Sequence, residues 1–139
     1  MIKVAVGIII RRNAGGTGRS VLLCQRKDDA KYPLKWEFPG GKVEDGEELA
    51  VCLARELREE LSVTIAPPSL FHRQEAVYPD SGHYEVYYYL VEGISGTPAN
   101  RVFRSVEWVD VGDLLSYDIL EGNRDVIGKL QMHENGVRS

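Results

Sequence analysis

Residues 41–63 read GKVEDGEELAVCLARELREELSV, a spacing that fits an amphipathic helix beginning near Glu47 and little else. At about 100° per residue, Ala50, Leu53, Ala54, Leu57 and Leu61 share one stripe, which has to face a core. Glu56, Glu59 and Glu60 fall on the strip beside it, at the rim of that core rather than on the far solvent face. This is the unfavourable end of a helix for acid. The C-terminus already carries partial negative charge, and like charges three or four apart cost about 0.2–0.5 kcal/mol per pair. An exposed, salt-bridged helix is the plainer reading, with Arg55 and Arg58 offsetting part of the charge in cis. A hard divalent cation, magnesium above all, is the sharper one, because such ions take carboxylate oxygens and keep water positions open for a phosphate substrate.

Composition narrows the candidates. With 139 residues the chain is expected to form one domain, 1–139, large enough to bury a core. Seventeen Lys and Arg against 21 Asp and Glu leave a net charge of −4, which argues against a nucleic-acid polymer as partner. A small anionic substrate stays compatible if a metal neutralises its phosphates locally. Cys24 and Cys52 have neither metal-ligand spacing nor the density of a disulfide scaffold, and read as buried thiols in a reducing cytoplasm. His72, His83 and His133 do not cluster. The opening MIKVAVGIII reads as a strand rather than a leader, since Arg11 and Arg12 stand where a cleavage site belongs, and no stretch is long enough to span a bilayer.

The remaining elements follow from apolar runs and breakers. Residues 3–10 form a nearly unbroken apolar strand of the doubly buried kind, 13–18 a loop and 20–25 a second strand. A polar loop over 27–35 leads into a short strand at 36–38 and then Pro39-Gly40-Gly41, where two glycines permit close approach by a ligand. A short strand is expected at 63–65, ended by Pro67-Pro68. Residues 70–78 and 84–92 read as an antiparallel pair joined through Pro79, Asp80, Ser81 and Gly82, and 105–109 as a last strand. Asp110 is the expected cap of a short helix through Leu115, and Asn123 of a final helix through about His133.

Read as a pattern, Gly41, Glu47 and the run Arg55-Glu56-Leu57-Arg58-Glu59-Glu60-Leu61-Ser62-Val63 resemble the Nudix box of hydrolases that act on nucleoside diphosphates linked to another group. The single departure among its defined positions is Ser62, where the family usually has glycine, so the helix-terminating turn is affected more than the chemistry. VAVGIIIRR, WEFPGGKVEDGE and GNRDVIGKL extend the resemblance over nearly the whole chain, most closely to MutT-type nucleotide-pool sanitising members. It implies an α/β fold, an α/β/α sandwich around a mixed sheet. By resemblance, Glu56, Glu59 and Glu60 are the metal and base carboxylates, with the Gly40 carbonyl as an added ligand. Glu47 and Arg55 would orient them. Magnesium is the implied ion, with manganese able to replace it, and both monomers and homodimers occur in the family.

The same resemblance implies cleavage of a nucleoside triphosphate, 8-oxo-dGTP among the candidates, to the monophosphate and pyrophosphate. An alternative is hydrolysis of ADP-ribose or a similar nucleoside diphosphate, and a third reading is a nucleotide sensor with little turnover. Arg26, Phe38, Tyr78, Asp80 and Asn123 match substrate-pocket positions, Asn123 being the one that would read an oxidised guanine edge, since an amide both donates and accepts. Each also has a plain structural reading: Arg26 as surface charge, Phe38 as core, Tyr78 as strand, Asp80 as turn former and Asn123 as helix cap. Pro79 occurs in both ADP-ribose and MutT-type members and does not separate them. The loop glutamate of MutT-like members has its counterpart at Val102, so catalysis is expected to rest on the helix carboxylates, or on Glu107 or Glu85 should the alignment slip.

Overall fold

The structure, a computed structural model, describes residues 1–79 and 81–138, with side chains in the last helix described through Glu134. In chain order its elements are β1 (Ile2–Arg12), β2 (Arg19–Gln25), β3 (Trp36–Glu37), β4 (Gly40–Lys42), α1 (Leu49–Leu61), β5 (Thr64–Ile65), β6 (Ser69–Tyr78), β7 (Gly82–Val91), β8 (Ile94–Ser95), β9 (Ser105–Asp110), a 3-10 turn (Val111–Ser116), a second (Glu121–Asn123) and α2 (Arg124–Arg138). Contacts divide them into two compact units, the first made of Met1–Ile9 and Pro39–Val102, the second of Ile10–Phe38 and Phe103–Ser139.

In the first unit β1 runs parallel to β7 and antiparallel to β4, and β7 carries β6 antiparallel on its other flank. The sheet is therefore mixed. The apolar run of β1 buries Ala5, Val6, Ile8 and Ile9, as a strand covered on both faces must. Helix α1 lays Leu53 and Leu57 against β1 at Gly7, whose Cα lies close enough that a Cβ there would sit 3.1 Å from Leu57 Cδ1. The buried stripe of α1 is Cys52, Leu53, Leu57 and Leu61. Ala50, expected on that stripe, is exposed in the first turn of the helix, which starts at Leu49. β5 pairs with β8, a strand too short to register as a periodic signal.

In the second unit β2 pairs antiparallel with the end of β1, with β3 and with β9. Val21, Leu22, Leu23 and Cys24 are buried along it, and Val126, Ile127 and Leu130 of α2 are buried with them in the same unit's core. The helix expected after Asp110 is a 3-10 turn, and Asp110 does not cap it through its side chain. Its carboxylate instead accepts hydrogen bonds from Asn13 Nδ2 at 3.0 Å and Ser20 Oγ at 2.8 Å. Long-range partners outcompete the local cap, which no residue-by-residue preference foresees.

Cys24 and Cys52 are both buried thiols that form no disulfide. Among the described residues no helix is long and apolar enough to cross a membrane. One ion pair in the second unit is nearly dry: Arg19 Nε meets Glu134 Oε1 at 2.8 Å, with 19% and 6% of the side chains exposed. Removing one member of such a pair leaves the other buried without its countercharge. Glu134→Ala is expected to lower the free energy of unfolding by about 3 kcal/mol, measured by urea titration; a loss below about 1 kcal/mol would class the pair with ordinary surface bridges.

Candidate active site

Arg55 organises the acidic helix. Its guanidinium forks onto Glu47, with Nε to Oε2 at 2.8 Å and Nη2 to Oε1 at 3.0 Å. Nη1 reaches Glu56 Oε1 at 3.0 Å and, one turn on, Glu59 Oε2 at 3.4 Å. Glu44, which sequence reasoning missed, adds a looser contact at 3.5 Å. The hydrogen bonds from Arg55, and behind them the Glu44 N–H, hold the Glu47 carboxyl down at about 2. The same bonds push Arg55 above its already high value. Glu47 and Glu56 are mostly covered, at 12% and 16% side-chain exposure, whereas Glu59 is open at 59%.

The glycine turn before the helix is shaped around these acids. Gly7 N–H donates to the Pro39 carbonyl at 2.8 Å and β4 continues the pairing with β1, which fixes the turn to the sheet. A Cβ on Gly40 would strike the Ala5 carbonyl oxygen, and one on Gly41 would fall inside the Glu56 carboxylate. Gly40 N–H donates to Glu60 Oε1 at 3.2 Å. Glu56 thus takes the space that a side chain on Gly41 would fill, and Glu60 meets the backbone one residue earlier. Beneath them Cys52 Sγ lies 3.5 Å from the Lys42 carbonyl oxygen. Burial raises its thiol to about 11, so it packs there as an inert group.

Chemically this donor set fits a hard divalent cation: carboxylate oxygens of Glu56, Glu59 and Glu60 with the Gly40 carbonyl in the turn they approach. No ready-made cage exists, for among the described residues no three Asp, Glu, His or Cys side chains converge. Arg55 and the Gly40 N–H take the oxygens that an ion would use.

The other expected residues are distributed as follows. Arg26 is committed to Glu37, Nη1 lying 3.1 Å and 3.2 Å from its two oxygens, and its Nε donates to the Lys31 carbonyl at 2.6 Å. Burial lifts the Glu37 carboxyl above its usual range despite Arg26 beside it. Sequence reasoning missed Glu37 because only the β2–β3 register places it across from Cys24. Phe38 is core, at 4% exposure. Tyr78 packs edge-on against Tyr84 in the β6–β7 hairpin, and Asp80 lies outside the described residues. Asn123 is buried at 7% exposure, directly before α2. Glu85 is held by Arg73, while Glu107 belongs to the second unit, hydrogen-bonded with Tyr117. Val102 is 44% exposed.

A mixed sheet, helices and a glycine turn feeding a carboxylate-rich helix define an α/β domain of the Nudix type. A family model described as the NUDIX domain matches residues 1–130. An 8-oxo-dGTP diphosphatase of Escherichia coli (strain K12) is 35% identical over 130 residues, spanning 94% of this chain and 96% of that protein. A nucleoside triphosphatase, NudI, of Escherichia coli O139:H28 is 32% identical over 118 residues, 76% of this chain and 84% of that one. A solved MutT structure described for Aliivibrio salmonicida and Vibrio cholerae superposes with a TM-score of 0.75 at 30% identity, covering 92% of this chain and 94% of that chain. The chain belongs to the Nudix family and is a Nudix pyrophosphohydrolase, with relatives of the MutT type.

Two outcomes test the geometry. Gly41→Ala forces Glu56 off its place and is expected to cost about 1–3 kcal/mol of stability, read by thermal unfolding; an unchanged melting temperature would mean that the turn and Glu56 are not in contact. Between the ordinary value of 4.5 and about 2, the unfolded chain takes up a proton at Glu47 before the folded chain does. Stability from this pair is therefore complete above pH 4.5 and is lost as pH falls toward 2. Carbon-detected NMR is expected to find Glu47 still ionised at about pH 3, and Glu47→Gln to flatten that part of the acid unfolding curve; titration near the ordinary value would contradict the fork.

Proposed function

We propose that this chain is a magnesium-dependent hydrolase that cleaves a nucleoside triphosphate, 8-oxo-dGTP foremost, to the nucleoside monophosphate and pyrophosphate. The observation that carries this reading is the carboxylate-rich end of α1 set against the glycine turn, where Glu56 lies against Gly41 and Glu60 accepts from the Gly40 N–H. Asn123, buried directly before α2, is the proposed reader of the base, because an amide both donates and accepts and a purine edge offers the matching pair. The names of the relatives, an 8-oxo-dGTP diphosphatase and a nucleoside triphosphatase, support the same substrate class. We place the activity in the cytoplasm, in keeping with two cysteines that form no disulfide.

Glu56, Glu59, Glu60 and the Gly40 carbonyl are the groups proposed to hold the metal. Magnesium, when bound, neutralises the pyrophosphate oxygens and acidifies a water. Arg55, locked by Glu47, fixes the Glu56 carboxylate through a second hydrogen bond, which sets the angle from which that oxygen is presented. One of the helix carboxylates takes the proton from the attacking water. Arg26 is proposed to act by holding Glu37 and the Lys31 carbonyl in place near Phe38, and Tyr78 and Asp80 remain substrate-binding candidates on the hairpin.

The test is a panel of oxidised and ordinary nucleoside triphosphates, ADP-ribose and related diphosphates, assayed with magnesium and with product identification. Pyrophosphate and a monophosphate from a triphosphate are the expected products. Two monophosphates from ADP-ribose with no triphosphate turnover would replace the reading, and binding without any turnover would make the chain a sensor. Glu60→Gln is expected to lower kcat by at least about 10²-fold, with unfolding little changed; a rate near the parent's would remove Glu60 from the metal site.

A further inference from the structure

Helix α1 ends in an unusual clasp. Ser62 follows Leu61 in the left-handed conformation, φ 59° and ψ 34°, and its N–H donates to the Arg58 carbonyl at 3.0 Å. A non-glycine residue is disfavoured there relative to glycine, because its Cβ crowds the following carbonyl oxygen. Serine at this position therefore makes the turn harder to form, and the hydroxyl is the one thing glycine lacks. That hydroxyl accepts a hydrogen bond from Arg101 Nε.

Arg101 sits at the end of a strap that runs antiparallel beside the chain leaving α1. Ala66 N–H donates to the Gly93 carbonyl at 2.8 Å, Ile65 lies opposite Ile94, and Thr64 lies opposite Ser95. Farther along, Ala99 N–H donates to the Leu61 carbonyl at 2.8 Å and Arg101 N–H to the Glu60 carbonyl at 3.1 Å. Carbonyls that a helix end normally leaves without an intrahelical partner are taken up by the strap. All these residues belong to the first unit. The last turn of a helix frays most readily, and this last turn carries Glu59 and Glu60.

We infer that Arg101, acting through Ser62, is a positioning residue that holds the Glu60 turn of α1 in register for the metal site. The inference rests on the metal reading above and assigns it a support that lies beyond the helix itself. A guanidinium at a helix C-terminus also answers the acid and dipole charge gathered there. The tie fixes backbone and side chain of Arg101 together, on Glu60 and Ser62 of the helix end, and the left-handed serine is the conformational cost of that placement.

Manganese affinity, measured by electron paramagnetic resonance of the free ion with no substrate present, separates support of the site from support of the fold. Arg101→Ala is expected to weaken binding about tenfold, the lower end for groups that brace a metal ligand. Ser62→Gly is expected to weaken it similarly while raising the melting temperature, since glycine relieves the left-handed turn. The double substitution is expected to add nothing to either alone, and Arg101→Lys to restore part of the affinity. Unchanged affinity in Ser62→Gly, or additive losses in the double variant, would overturn the inference even if Arg101→Ala fails to fold. Parent protein that binds no manganese at all would instead remove the metal reading itself, and the inference with it.

Discussion

A single guanidinium makes the acidic helix tenable. Arg55 touches Glu44, Glu47, Glu56 and Glu59, and the tightest of these contacts, the fork to Glu47, anchors it from outside the helix. Without that anchor the arginine would be one more exposed side chain, and exposed pairs contribute little. With it, Glu56 is held against the glycine turn in a half-covered position that a freely moving carboxylate would not keep. The arrangement presents acid at a fixed place while leaving its charge incompletely answered. Glu60 is reached by the Gly40 N–H, so acid gathers at the end of α1 beside the turn.

The second constraint is steric: there is no room for a side chain at Gly41. A glycine-to-carboxylate contact of this kind couples sheet, turn and helix, because β4 fixes Gly41 to β1 while the helix delivers Glu56 from the other direction. Packing of Leu53 and Leu57 on β1 sets how far the helix can shift, and so sets the carboxylate position too. Local chemistry is in this sense a consequence of core packing, since close-packed interiors move in discrete steps rather than by gradual yielding.

Much of this was legible in the sequence, for identifiable reasons. Apolar runs at β1 and β2 and the strand-favouring tyrosines of β7 are strong periodic signals, and the box residues lie so close along one helix that geometry follows from spacing alone. The Glu47–Arg55 pairing follows from the family resemblance, since Glu47 stands before the helix and spacing along α1 does not place it. What escapes depends on register or on contacts across long separations. Ala50 shares the apolar stripe yet stands exposed in the first turn, Asp110 fits a cap in sequence though Asn13 and Ser20 claim its carboxylate, and Glu37 carries no local signal although it answers Arg26. Ser62 was read as a weakness in the turn. The tie to Arg101, thirty-nine positions away, gives it a second partner that no local pattern discloses.

The account turns on whether the acid gathered at the end of α1 exists to hold a cation. Crystals grown in manganese and measured near its absorption edge give the most direct answer through anomalous scattering. A peak within bonding distance of the Glu56 and Glu60 carboxylates and the Gly40 carbonyl is the expected result. A map without a peak there, at manganese concentrations that saturate other carboxylate sites and with Glu56 still turned to Arg55, would contradict it.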